Sequence, residues 1–409
     1  MPINTALIPR TQKIRAQALI QRRALKMAAS PNAYVRGNTT QFYAWLEEHD
    51  DLRIPHGPDV WICGDCHFGN LGPVSDTEGD VEVQIRDLDQ TVIGNPTHDI
   101  IRLGLSLAMS ARGSELPGVT TVKMLEAVMR GYQRALVRSI KSEDPPSALA
   151  QTFRYALSRR WRHLARERIE DTTPTVPIGK SFWPLMKEER IAIEKLFEQE
   201  PVRALLTTID GRDADTQVRL LDSAYWVKGC SSLGGLRFVA LAGVGKSKRH
   251  ILKNNDLCLV DIKQAGPAAA PRSPTAEMPR DNGTRVVTGA QQLSPHLGER
   301  MFATHMLERS VVVRELLPQD IKFNISRLGE NDAIEVAQYL GHVVGRAHWR
   351  QMESPTRRTW TNELKRARSK TIDAPSWLWS SVVELIARHE AAYLDHCRKY
   401  ALSPSRRAA

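Results

Sequence analysis

Hydrophobic positions recur along this chain in two rhythms. Over the first fifty residues the spacing is helical: residues 11–27 form a long basic helix, Ser30-Pro31 breaks it, and helical spacing resumes over 41–48. Residues 60–63, VWIC, are a short apolar strand running into Gly64, and 81–85 alternates as a second strand, with a turn-rich loop over 69–79 between them. The spacing predicts helices over 99–111, 122–140 and 148–169. After Pro174, Pro177 and Pro184 it predicts another over 187–199.

The rhythm changes near Ala224. Residues 225–227, 237–241 and 257–262 are β-rich and separated by glycines. Residues 266–283 carry Pro267, Pro271, Pro274 and Pro279 among small side chains and are expected to form a mobile loop. A helix is expected over 295–308, a strand over 311–316, an amphipathic helix over 331–352 and a last helix over 377–400. The pattern predicts an α+β fold. Residues 1–215 form a first helical part, 216–318 a β-rich part, 319–402 a return to the helical part, and 403–409 a tail.

Composition narrows the class. The chain has 409 residues, enough for two or three structural units, and its 42% hydrophobic and 25% charged content excludes collagen, coiled coil and wholesale disorder. No apolar run is long enough for a membrane helix and the N-terminus lacks a signal-peptide core, so a cytoplasmic chain without membrane association is expected. Five cysteines, an odd count, point to free thiols. The 57 Lys and Arg against 46 Asp and Glu leave +11, a surplus that attracts anions: nucleic acid, anionic lipid or phosphorylated small molecules. Dense basic runs over 10–23, 154–168 and 365–370 read mostly as solvated helical faces.

Four motifs compete for the chemistry. Cys63-Gly-Asp-Cys66-His67 has the spacing of a c-type haem attachment site, but no export signal accompanies it. Zinc would need a second close ligand pair, which Cys230 and Cys258 do not supply, so small residues packed beside a tight turn are the simpler reading. Ala240 through Gly245-Lys246-Ser247 resembles a relaxed P-loop, yet a short charged stretch follows it instead of a helix, and a hairpin turn explains it better.

The third motif is GDCHFGN, with Asp65 and Asn70 five apart, followed by Asp87-Leu88-Asp89 and GNPTHD. A loop carboxylate can orient or deprotonate a hydroxyl, an amide oxygen five residues on can bind Mg²⁺, and a carboxylate after the next strand can complete the metal's shell. Strands 60–63 and 81–85 could lay the two loops side by side, and Asp99 would cap the following helix. The fourth motif is Gly229-Cys-Ser-Ser-Leu-Gly234-Gly235 between two strands, then Val260-Asp-Ile-Lys263. A Gly-rich hairpin can approach phosphates, and a lysine on the third strand can neutralise them.

Together the third and fourth motifs are the halves of one kinase-like site in reversed order. Circular permutation reconciles them, with 334–349 as the helix that would precede the Asp65 loop. The chain also resembles the bacterial domain-of-unknown-function 2252 family along most of its length. Matching segments run from Met27-x-x-Ser30-Pro31 and Arg36-Gly37 through CGDCHFGNLG, IRDLDQT, GNPTHDIIRL, KGCSSLGGLRFVAL, VDIKQA, RVVTGAQQL and VVRELLP to GHVVGRAHWR. Relatives tend to carry Ala at Cys66, which weakens the haem and zinc readings, and Glu at Gln90. The resemblance assigns no activity.

These readings give an expected site in a kinase-like, two-lobed, circularly permuted fold. Asp65 orients the acceptor hydroxyl, and Asn70 and Asp87 hold Mg²⁺ with Asp89 beside them. Gly229, Ser231, Ser232 and Gly234 cover the phosphates of ATP, and Lys263 pairs with them. His67 contacts the acceptor or fills a core position. Arg36 reaches the phosphates or the loop, or is structural, Glu299 is the nearest helical acid for Lys263, and 311–316 supplies the strand that receives adenine. The partners are a nucleotide and an unidentified small-molecule or protein acceptor. A catalytically silent nucleotide binder, transfer of AMP, and nucleic-acid binding are the alternatives.

Overall fold

Alternating apolar side chains over the middle of the chain build the sheet on which the fold rests. The structure is a computed structural model that describes residues 11–49, 54–137, 143–169, 175–209, 212, 216–230, 233–246, 251, 256–323, 328–368 and 375–401. Its strands are β1 (Val60–Ile62), β2 (Leu71–Ser75), β3 (Val81–Ile85), β4 (Val92–Gly94), β5 (Phe182–Trp183), β6 (Val218–Trp226), β7 (Arg237–Val244), β8 (Leu257–Gln264), β9 (Met301–Met306) and β10 (Arg309–Leu316). β1 pairs with β4, and β2 with β3. The other six form one antiparallel sheet in the order β5-β6-β7-β8-β10-β9. The fold class is α+β, as the hydrophobic pattern predicts.

The two faces of this sheet have different work. On β8, Cys258, Val260 and Ile262 enter a core with Leu19, Ile193, Leu196, Val202 and Leu206, which come from helices Gln12–Ala28, Lys187–Phe197 and Glu200–Thr207. Leu259 points the other way and packs with Val239, Leu241, Leu164 and Ala165 under helix Trp161–Ile169. Two residues further along that second face the side chains become charged. The register sets Arg237 opposite Lys263, and Arg314 opposite Asp261. Asp261 is buried and accepts from Arg237 at 2.7 and 3.1 Å, with Arg314 at 3.3 Å.

Helices Thr97–Gly113, Gly118–Val137, Glu330–Trp349 and Ser376–Tyr400 share the largest core with β1 to β4. Gly118–Val137 and Glu330–Trp349 approach unusually closely. A Cβ on Gly131 would fall 1.8 Å from the Gln338 carbonyl oxygen, and one on Gly341 would fall 2.2 Å from that of Val128. Only glycine fits at either position.

Several elements differ from the pattern's prediction. The expected helix over 148–169 divides into Ser147–Ser158 and Trp161–Ile169, because extended Arg159 turns inward to bond the Pro318 carbonyl and Glu167. The expected helix over 295–308 ends after Pro295–Gly298. β9 follows and reverses into β10 through Leu307 and Glu308, both at positive φ. β2 lies inside the expected loop over 69–79. The proline-rich stretch after β8 is a strap rather than a mobile loop. The Ala269 N–H donates to Gln90 Oε1 (2.7 Å), Arg272 bonds the Pro279 carbonyl (3.0 Å), and the Ser273 and Thr275 hydroxyls donate to Asp59 (2.9 and 3.0 Å). Residues 403–409 lie outside the described residues. No described helix is long and apolar enough to cross a membrane, and all five cysteines are free.

The close helix pair yields a stability prediction. Gly341→Ala should destabilise the protein by about 1–3 kcal/mol in urea unfolding, despite alanine's better helix propensity, because the helices must separate. Unchanged or increased stability would contradict this packing.

Candidate functional site

The site begins where β1 turns. Gly64 has φ of +74°, and a Cβ there would lie 2.1 Å from the Gln90 carbonyl oxygen, so the turn requires glycine. Asp99 holds this turn from behind. It does not cap its helix as the sequence predicts. It sits in the first turn of Thr97–Gly113, fully buried, and its carboxylate accepts from the N–H groups of Cys63 (2.7 Å) and Gly64 (3.0 Å). His348 Nε2 lies 3.2 Å from the same carboxylate, His348 Nδ1 lies 3.0 Å from the Tyr132 hydroxyl, and Trp360 Nε1–H donates to that hydroxyl at 3.1 Å. With its proton on Nε2, His348 donates to Asp99 and accepts from Tyr132, which satisfies every member of the chain.

Past the turn, Asp65 is 8% exposed and forms an ion pair with buried Arg102. Asn70 donates through Nδ2 to the Asp65 carbonyl (3.1 Å), and its own carbonyl accepts the Arg86 N–H (2.7 Å). The loop after β1 is thereby tied to the end of β3. The strands 60–63 and 81–85 do not pair with each other. The β1–β4 and β2–β3 pairings bring the two loops together instead. His67 is buried, and burial pushes its pKa down to about 3.

Asp87 and Asp89 occupy the turn from β3 to β4. Lys263 Nζ lies 3.4 Å from Asp87 Oδ1 and forms an ion pair with Asp89. The surrounding protein works against the Asp87 charge, but Lys263, Arg314 and Arg237 outweigh it and hold the carboxyl well below its ordinary range. Desolvation and the neighbouring Asp87 charge push Asp89 the other way. These two aspartates, not Glu299, are the acidic partners of Lys263. The helix between β8 and β9, Asn282–Leu293, turns Arg285 toward this turn instead, bonding the carbonyls of Thr91, Asp89 (3.0 Å) and Gly266 (2.8 Å).

A cavity of about 420 Å³ opens here, lined on the helical side by Asp65, His67, Asn70 and Asp87 and on the sheet side by Gly229, Arg237 and Arg314. Arg36, from helix Pro31–Gly37, lines it too. Lys263 and Asp89 are not in the lining and meet it through Asp87. Gly234 is exposed and away from it, and Ser231 and Ser232 lie outside the described residues. Sequence reasoning missed Arg86, Arg168, Lys228 and Lys322, all in the lining. Lys228 and Arg86 directly adjoin the motifs, so a search for cations beside them would have found both.

The rival motifs find little support. Cys63 and Cys66 are fully buried, and the Cys63 thiol is pushed up by its hydrogen bond to Cys66 and by burial. No group of three or more His, Cys, Asp or Glu able to hold a metal occurs among the described residues. Ala240 to Val244 are strand β7, with Gly243 packed against Ile251, and Ser247 lies outside the described residues.

The profile of a family described as "Uncharacterized protein conserved in bacteria (DUF2252)" matches residues 15–399. No curated protein and no solved structure matches the chain.

Burial of His67 has a pH signature. The unfolded chain takes up a proton near the ordinary value of 6.5 and the folded chain only near 3, so stability is full above 6.5 and is lost as pH falls toward 3. One such histidine accounts for about 2 kcal/mol between pH 6.5 and 5. Urea titrations at pH 7 and pH 5 should show a stability loss smaller by about that amount in His67→Gln. An equal loss in both proteins would mean that folded His67 is protonated.

Proposed function

The chain belongs to the DUF2252 family of bacterial proteins, and from its cleft we propose that it is a Mg²⁺- and ATP-dependent phosphotransferase with a circularly permuted, kinase-like two-lobed fold. The observation that carries this reading is the meeting of Lys263 with Asp87, 3.4 Å apart though 176 residues apart in sequence, at the edge of a cavity lined by Asp65 and Asn70. A kinase-like site needs these groups together: a phosphate-neutralising lysine, a metal-binding aspartate, and a loop carboxylate with an asparagine five residues on.

The sheet supports the reading. A glycine-containing turn joins β6 to β7, Lys263 lies on β8, a helix separates β8 from β9, and β10 leads into Leu317 at the cavity wall. The end of helix Glu330–Trp349 supports the permutation. Gln351 accepts from the Trp61 N–H (2.7 Å) and donates to the Trp61 carbonyl (3.0 Å), so that helix stops beside the strand that enters the Asp65 loop.

Mg²⁺ uses one or two carboxylates together with substrate phosphates rather than an all-protein cage. Asp87 fits this role: its carboxyl is held ionised, and 48% of its side chain remains exposed. Asn70 on the opposing loop supplies an amide oxygen, and Asp89 adjoins. When bound, the ion neutralises phosphate charge during transfer. Lys263 exchanges its carboxylate partners for the α- and β-phosphates, and the backbone at Gly229 (φ +99°) follows the phosphates. Val74, Leu164, Leu297, Leu316 and Leu317 form the apolar lining that receives the base. The acceptor oxygen bonds to the γ-phosphorus, the bond to the bridging oxygen breaks, and ADP leaves with that electron pair. The hydroxyl proton passes to Asp65, which Arg102 holds in position, and then to solvent.

A silent nucleotide binder is the second reading, favoured by the Asp65–Arg102 ion pair, which occupies the would-be base. Asp65→Ala and Asp87→Ala separate the two. Each should lower Mg²⁺-dependent ATP turnover at least ~100-fold in protein that circular dichroism shows to be folded, and Asp65→Ala should also lower Tm because it strands buried Arg102. Full turnover in both variants would sink the assignment, and ATP binding without turnover in the unmodified protein would select the silent binder.

A further inference from the structure

The cleft holds more positive charge than a metal-bound triphosphate requires. Its four lining carboxylates are already matched. Asp65 pairs with Arg102, Asp87 with Lys263, Asp320 with Arg300 (3.0 Å), and Glu167 with Arg159 and Arg168 (2.5 and 3.0 Å). Lys228, Lys322 and Arg36 also line the cavity, and none has a carboxylate within ion-pair distance among the described residues. Three guanidinium Nε–H groups in the same wall, those of Arg36, Arg86 and Arg168, are buried and lack a hydrogen-bond partner among the described residues. A buried donor without a partner is costly, so several around one cavity favour a ligand rich in acceptor oxygens.

We propose that this part of the cleft binds the acceptor substrate through an anionic group, and that the acceptor is a small hydroxyl compound carrying a phosphate, held by Lys228, Lys322 and Arg168. The inference rests on the phosphotransferase reading and names the substrate class of that same site. A phosphate suits the donors better than a carboxylate does. Two ammonium groups and several guanidinium edges approach from different elements, which matches a tetrahedral dianion, whereas a planar carboxylate is satisfied by one bidentate arginine. A cleft of about 420 Å³ is the size of a small-molecule pocket and is too small to admit a nucleic-acid helix.

Electrostatics agree with this placement. Enclosure by the protein, then the charges of Arg36 and Arg86, push Lys322 down to about 8. Burial, then Arg168 and Arg237, push Lys228 well below the usual lysine range, and its ammonium lies 3.9 Å from the Trp226 ring centroid. Arg168 depresses both lysines, so the three cations face one space. A bound dianion relieves this repulsion.

Calorimetric titration of inorganic phosphate into the protein saturated with Mg²⁺ and ADP, at fixed ionic strength, tests the inference. We expect one saturable phosphate site with ADP retained. Lys228→Gln and Lys322→Gln should each weaken phosphate binding at least tenfold and leave ADP affinity within about twofold, while Lys228→Arg keeps phosphate binding. Circular dichroism confirms that the variants are folded. The inference is overturned if ADP binds and phosphate does not, if phosphate displaces ADP one for one, or if both glutamine variants bind phosphate normally. If ADP itself fails to bind, the phosphotransferase reading falls separately. Phosphate binding to the nucleotide-free protein, lost in the two variants, then still decides the anion site.

Discussion

One buried carboxylate, Asp99, fixes the geometry on which the cleft depends. It joins the backbone of Cys63 and Gly64 to His348, and through Tyr132 to Trp360, linking four segments far apart in the chain. Inside the core no water is at hand to replace these bonds, so a missing member leaves a donor or acceptor unsatisfied at about 1–3 kcal/mol. The network therefore permits one entry angle for the turn at Gly64. That angle sets Asp65 against Arg102 and Asn70 against the Asp65 carbonyl, and it presents both to the cavity.

The basic residues have two destinations in the fold. Some are structural and already neutralised, so they leave the +11 surplus untouched. Arg15 pairs with buried Glu189, Arg212 with Glu315, Arg300 with Asp320, and Arg237 with Asp261. Such pairs add little net stability, because desolvation offsets attraction, but breaking one strands a buried charge, so they specify geometry. The run over 10–23 is thus not simply a solvated face, since Arg15 lies under Tyr225 and Glu189. Others line the cleft, where cations outnumber acids and Lys228, Lys322 and Arg36 have no carboxylate within ion-pair distance among the described residues.

The site was partly legible in the sequence. GDCHFGN, DLD and VDIK are short local patterns, and the residues they single out, Asp65, Asn70, Asp87 and Lys263, come together. The partner of Lys263 was not legible, because the pairing joins β8 to a turn 174 to 176 residues earlier and no local spacing encodes it. Asp99 looked like a helix cap because local rules favour acids in a first turn, and a tertiary contact overrode them. MFATHM suits either a helical or a strand period, so the pattern predicts helix there, and only the pairing of β9 with β10 decides. The proline-rich strap looked mobile by composition, yet Gln90 and Asp59 pin it from distant segments.

The central claim is that Asp87 and Lys263 meet at a site for a metal-bound nucleotide. Isothermal titration of ATP into the protein, with and without Mg²⁺ and repeated on Lys263→Met, tests it most directly. The account predicts one ATP bound per chain, with affinity falling by about tenfold or more when either Mg²⁺ or the lysine is removed. No binding under any condition, or binding indifferent to both the ion and Lys263, would contradict it.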